Sequence, residues 1–198
     1  MFDALPVVVQ GELTGLAERF GQPLVRFVEL DIQELFDPLN NNDRFGEVCM
    51  VIRRPRGHLL TAKKTFYPVG CDRLLTGGIR HSEPVLEALL REVGEETSLD
   101  VVVRRFLVAA AYHLPGQQES PLFYTFAFLL DEVGGTLACL DPDEHLDYFR
   151  EIMPAELPER ADFLANLPAG YSPELGDDWS DWGRFRAIIH RLVWEALN

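Results

Sequence analysis

The chain has 198 residues, enough for one domain with its own core, and its make-up of 47% hydrophobic and 25% charged residues is that of an ordinary globular protein. No apolar run approaches the ~18 residues a membrane-spanning helix needs. The N-terminal stretch carries Asp3 and no basic region ahead of its short apolar run, unlike a secretory signal. A formal charge of −14 argues against a duplex nucleic-acid binder, whose affinity comes largely from Lys and Arg on phosphates.

An acidic protein that handles a small phosphorylated ligand needs a cation between the two. Three cysteines (Cys49, Cys71 and Cys139) are odd in number and far apart, and the five histidines are scattered. The pattern indicates neither a disulfide framework nor a zinc site, and it fits free thiols in the cytoplasm.

Residues 1–44 read as an N-terminal extension packed on or pairing with a core formed by residues 45–198. The extension holds a short helix over 11–20, an apolar stretch over 24–30 and a turn-rich boundary, Asp37-Pro-Leu-Asn-Asn-Asn-Asp43. Strands are expected over 47–53 and 58–64, joined as a hairpin by Arg54-Pro-Arg-Gly57. A further extended piece ends at Gly77-Gly78. A helix follows over 83–97, with Ser82 as its N-cap and Pro84 in its first turn. Longer strands are expected over 101–113 and 122–130, with more strand over 136–140 and 145–152. Residues 154–164 read as partly helical and 170–178 as loop. An amphipathic helix over 181–197 closes the chain, with Phe185, Ile188, Ile189, Leu192 and Val193 on one face. This alternation predicts an α/β (α+β) sandwich with helices on both faces of a mixed sheet.

The chemistry concentrates on the helix over 83–97. At about 100° per residue, Val85, Leu86, Ala88, Leu89, Leu90 and Val93 form an apolar stripe, with Glu83, Glu87 and Arg91 opposite. Glu92, Glu95 and Glu96 lie along one edge of that stripe, within a single turn. Acids there oppose the negative C-terminal end of the helix dipole, and like charges at i,i+4 repel. A cluster that breaks two local rules without compensation marks function. Oxygen-only ligands suit a hard cation, Mg²⁺ or Mn²⁺.

The string Gly77-Gly-Ile-Arg-His-Ser-Glu83, then Arg91-Glu92-Val93-Gly-Glu95-Glu96-Thr-Ser98-Leu99, resembles the Nudix box. Every position of that signature is present except its last Gly, here Ser98, a substitution that touches the left-handed turn expected after the helix. The resemblance implies an α/β/α sandwich and hydrolysis of a nucleoside diphosphate linked to another moiety, ADP-ribose-like or nucleotide-sugar-like. It implies Glu92, Glu95, Glu96 and the Gly77 carbonyl as ligands for one to three Mg²⁺ or Mn²⁺ ions. Arg91 matches an Arg that pairs with a motif Glu and props the loop–helix–loop, which leaves Glu83 structural.

Outside the box, Glu144 and Glu119 are the candidates for a catalytic base or extra ligand, both in later loops. Leu114-Pro115-Gly116 weakly resembles a loop of ADP-ribose diphosphatases, which makes Pro115 a substrate-binding candidate along with Gly78 and Arg80. Arg53, Arg54, Arg56, Lys63, Lys64, Arg73 and Arg80 are the basic concentration of the chain. The alternating Phe123, Tyr124, Phe126 and Phe128 read as core, and Trp179, Trp182 and Trp194 as docking the last helix. The expectation is a small nucleotide-derived substrate, no membrane and a possible homodimer. The rival reading is a catalytically silent nucleotide-binding domain of the same fold, against which the intact Glu92, Glu95 and Glu96 speak.

Overall fold

The computed structural model describes every residue except 1–3, 33–34, 41, 118–120 and 140, together with the side chains of Pro142 and Asp177. In chain order it contains α1 (Val7–Phe20), β1 (Leu24–Glu29), β2 (Arg44–Arg53), β3 (Leu59–Lys64), β4 (Arg73–Arg80) and α2 (Val85–Thr97). These are followed by β5 (Leu99–His113), β6 (Phe123–Gly135), β7 (Leu146–Ile152), α3 (Leu157–Ala165), the two-residue strands β8 (Tyr171–Ser172) and β9 (Asp177–Asp178), and α4 (Trp179–Leu197).

Seven strands form one mixed sheet in the order β1-β5-β6-β2-β4-β3-β7. The β1–β5 and β2–β6 pairs are parallel and the others antiparallel. Alternation along β2 divides the core: Cys49 and Val51 face one side, Val48, Met50 and Ile52 the other. Helices α3 and α4 cover the first face through Leu157, Ala161, Trp182, Phe185 and Ile189. Helices α1 and α2 cover the second through Leu13, Leu16, Val85, Ala88, Leu89 and Val93. The result is the three-layer α/β/α sandwich expected. No helix among the described residues is long and apolar enough to cross a membrane.

Phe123, Tyr124, Phe126 and Phe128 are buried, as alternation required. Of the apolar stripe assigned to α2, however, Leu90 is exposed. Other local expectations change under tertiary constraint. β2 and β3 do leave a common turn, but they pair at a single position, Arg53 with Leu59. Beyond it β4 enters between them, pairing antiparallel with both. A hairpin read from its turn cannot reveal an intervening strand from later in the chain.

Helix α2 starts at Val85 with no side-chain cap from its own segment, and Ser82 instead takes a left-handed turn, φ 66°. Its first N–H groups, those of Val85 and Leu86, donate to the Glu12 carboxylate of α1 at 2.9 and 3.0 Å. A long-range cap replaces the local one. At the other end Ser98 adopts the left-handed conformation, φ 56° and ψ 22°, and its N–H donates to the Gly94 carbonyl. The turn that favours glycine is therefore made here by serine.

No strand forms over 136–139. There the Ala138 N–H donates to the Thr97 carbonyl and ties the segment to the end of α2. Within 170–178, β8 and β9 make a two-residue ladder, and Asp178 caps α4 by accepting from the Ser180 N–H.

Candidate active site

The cleft lies where the C-terminal end of β4 meets α2. β4 is flanked on both sides by strands, and near its end Gly77 lies against Glu92 of the helix while Gly78 faces Arg44. A Cβ on Gly77 would stand 2.1 Å from Cδ of Glu92, which leaves glycine as the residue that fits there without displacing the carboxylate.

Arg91 organises the segment with all five of its N–H donors. Its Nε and Nη2 hold Glu83 at 2.7 and 3.0 Å, and Nη2 also donates to the Gly78 carbonyl at 2.9 Å. Nη1 is shared between Glu92 and Glu95, each at 2.8 Å. Glu83 in turn accepts the Arg80 N–H at 3.0 Å. One guanidinium thus clamps the strand end, the turn and two turns of helix together.

Carboxylate oxygens of Glu92, Glu96 and Glu144 lie within 4.8 Å of one another. Glu92 and Glu96 are buried, and burial raises both above the usual carboxylate range. For Glu96 the desolvation is reinforced by the neighbouring Glu144 charge and opposed by Lys64 and Arg73, leaving it at about 8. Three crowded carboxylates, two of them paired with Arg91 and Lys64, offer the oxygen donors that suit a hard divalent cation. Glu95 lies outside this group of three; its side chain is 40% exposed and held by Arg91, on the wall of the same cleft.

The cleft has a volume of about 310 Å³ and includes Gly77, Gly78 and Arg80 among its walls. Pro115 is exposed on a turn after β5 and does not line it. Glu119 lies outside the described residues. Trp182 is buried in an aromatic cluster with Tyr67, ring centroids 4.7 Å apart, which docks α4.

Asp43, Arg44 and Asp141 also reach the cleft. Arg44 is held by Asp43 at 2.6 Å and lies across Gly78, where an added Cβ would meet its Nη1 at 2.6 Å. In the sequence Asp43 closes the turn-rich boundary, Arg44 ends the N-terminal extension, and Asp141 stands in the loop of the base candidate Glu144. The Arg44–Arg80 register of β2 and β4, for which no local signal exists, brings Asp43 and Arg44 to the site, whereas Asp141 arrives with the loop that carries Glu144.

Fold and cleft define an α/β/α protein with a helix-borne acid site braced by one arginine. The sequence pattern of the NUDIX domain matches residues 43–171, nearly two thirds of the chain, and the chain belongs to that family. An ADP-ribose pyrophosphatase of Methanocaldococcus jannaschii is 30% identical over 99 residues, 50% of this chain and 57% of that protein. The chain thus spans just over half the length of that curated relative. Among solved structures, a MutT NUDIX hydrolase from Burkholderia pseudomallei is 19% identical, with TM-score 0.46 and coverage of 78% of this chain and 98% of that one. An ADP-ribose pyrophosphatase from Streptococcus suis is 18% identical, with TM-score 0.45 and coverage of 77% and 91%.

Proposed function

We propose that this chain is a metal-dependent diphosphohydrolase of a nucleoside diphosphate linked to another moiety, with ADP-ribose-like or nucleotide-sugar-like compounds as the favoured substrates. The observation that carries the reading is the convergence of Glu92, Glu96 and Glu144 in a cleft whose strand end and helix are clamped by Arg91. The identity to an ADP-ribose pyrophosphatase supports the substrate class.

Glu92 and Glu96, with the Gly77 carbonyl, would hold Mg²⁺ or Mn²⁺, and Glu95 would complete the set from the rim. When bound, the ion neutralises the diphosphate and stabilises charge on the leaving phosphate. Glu144 is offered as the base. Its carboxylate takes the proton as the water oxygen bonds to phosphorus, and the bridging P–O bond breaks with its electron pair on the departing phosphate. Arg91 acts on the scaffold, since its donors are committed to protein acceptors. Arg80 and Gly78 stand on the cleft wall as substrate contacts.

The test is a panel of nucleoside diphosphate derivatives incubated with Mg²⁺ or Mn²⁺ and followed for product. Turnover should be abolished by EDTA and reduced at least about 100-fold by Glu96→Gln. Tight nucleotide binding without turnover, unchanged by Glu96→Gln, would identify a silent binding domain instead.

A further inference from the structure

Lys64 occupies a position the chemistry above does not use. It ends β3, where pairing with β7 breaks: Lys63 faces Tyr148 but Lys64 faces Leu146, so Asp147 is passed over. The irregularity aims neighbouring lysines at different acids, as a bulge beside a site can. Lys63 Nζ donates to Asp147, and Lys64 Nζ donates to Oε2 of Glu144 at 2.9 Å.

Lys64 therefore bonds to one carboxylate of the acid cluster. It also lines the acid cleft, the small cavity beneath it and an adjoining compartment on the α4 side. In that compartment each guanidinium already has a protein partner. Arg186 makes a two-oxygen pair with Glu47 at 2.9 and 2.8 Å, Arg73 bonds to the Tyr67 hydroxyl, the Leu74 carbonyl and Thr76, and Arg44 is held by Asp43. The partner of Lys64 differs in kind, because Glu144 belongs to the group that suits a cation. Nor does Glu144 depend on Lys64 for its place: the Thr65 N–H donates to the adjacent His145 carbonyl at 2.7 Å and anchors that loop through the backbone.

We propose that Lys64 is the resident counter-cation of the acid cluster in the metal-free protein, and that it transfers from Glu144 to a phosphoryl oxygen of the bound diphosphate once a divalent ion is loaded. The inference rests on the metal-dependent reading above. A cation that competes with the metal but assists the ligand has a signature a purely structural lysine lacks. Removing it tightens one equilibrium and weakens the other.

The experiment uses the full chain, with thermal melts confirming that each variant folds. Mn²⁺ binding is titrated without nucleotide, and ADP serves as the diphosphate probe in excess Mg²⁺. Lys64→Met should bind Mn²⁺ about tenfold more tightly, through loss of charge repulsion. It should bind ADP about tenfold more weakly, through loss of a charge-assisted hydrogen bond. Lys64→Arg should restore ADP binding to within about threefold of wild type. Unchanged or weaker Mn²⁺ binding in Lys64→Met, or unchanged ADP binding, overturns the proposal. Neither arm requires turnover, so wild-type protein that binds both ligands without hydrolysis would refute the hydrolase reading alone. Wild-type protein that binds no Mn²⁺ would overturn both.

Discussion

Replacing Gly77 by alanine tests whether the meeting of β4 and α2 builds the proposed metal site. The new Cβ would stand 2.1 Å from Cδ and 2.2 Å from Cγ of Glu92, whereas unstrained carbon atoms sit about 3.5 Å apart. The carboxylate must therefore retreat by more than about 1 Å. It has little room, being buried and held by Arg91 at 2.8 Å on its other side. Metal–oxygen distances tolerate only about 0.2 Å, and a 1 Å misplacement of a reacting group costs about 100-fold. Gly77→Ala should accordingly lose about 100-fold in both Mn²⁺ affinity and kcat/KM while still melting cooperatively. Gly78→Ala is the control. Its Cβ would meet the far end of the Arg44 side chain, which can move aside, so metal affinity should change much less. Gly77→Ala with metal affinity and kcat/KM within threefold of wild type would refute the reasoning.

Three further outcomes follow from residues away from the acids. Ser98 holds a left-handed conformation, and its hydroxyl is buried with no hydrogen-bond partner, so Ser98→Gly should raise stability by about 1 kcal/mol in urea denaturation; a loss would contradict this account of the turn. Removing the long-range cap with Glu12→Ala should cost about 1 kcal/mol by the same assay, and no change would mean the α2 terminus is satisfied otherwise. His190 is buried and neutral, donating from Nδ1 to the Arg186 carbonyl and accepting the Leu74 N–H at Nε2, and burial lowers its pKa from 6.5 to about 4. The unfolded chain binds the proton more readily, so this contribution is present above pH 6.5 and lost as pH falls through about 4, a total of about 3 kcal/mol. His190→Gln should flatten the pH dependence of stability across that window, and an unchanged slope would assign it to other groups.

Much of the candidate site was legible because it is local. Glu92, Glu95, Glu96 and Arg91 share a single helical turn and its neighbour, so a 3.6-residue period alone places them, and the box spacing adds Gly77 and Glu83. Ser98 reads in sequence as a departure from the glycine of that turn, and the structure forms the left-handed turn with serine all the same. Even within the helical turn, packing separated the acids: Glu92 and Glu96 are buried with Glu144, while Glu95 stays on the rim with Arg91.

The tertiary structure decided everything that depends on strands meeting out of sequence. Entry of β4 between β2 and β3 brings Arg44 across from Arg80 and carries Asp43 into the cleft. The break in the β3–β7 register sets Lys64 against Glu144, and packing of α1 on α2 supplies the Glu12 cap. Helical neighbours lie three or four residues apart and are bound by the geometry of the chain itself. Sheet order instead emerges from many weak pairings summed over the whole domain, which no short segment encodes.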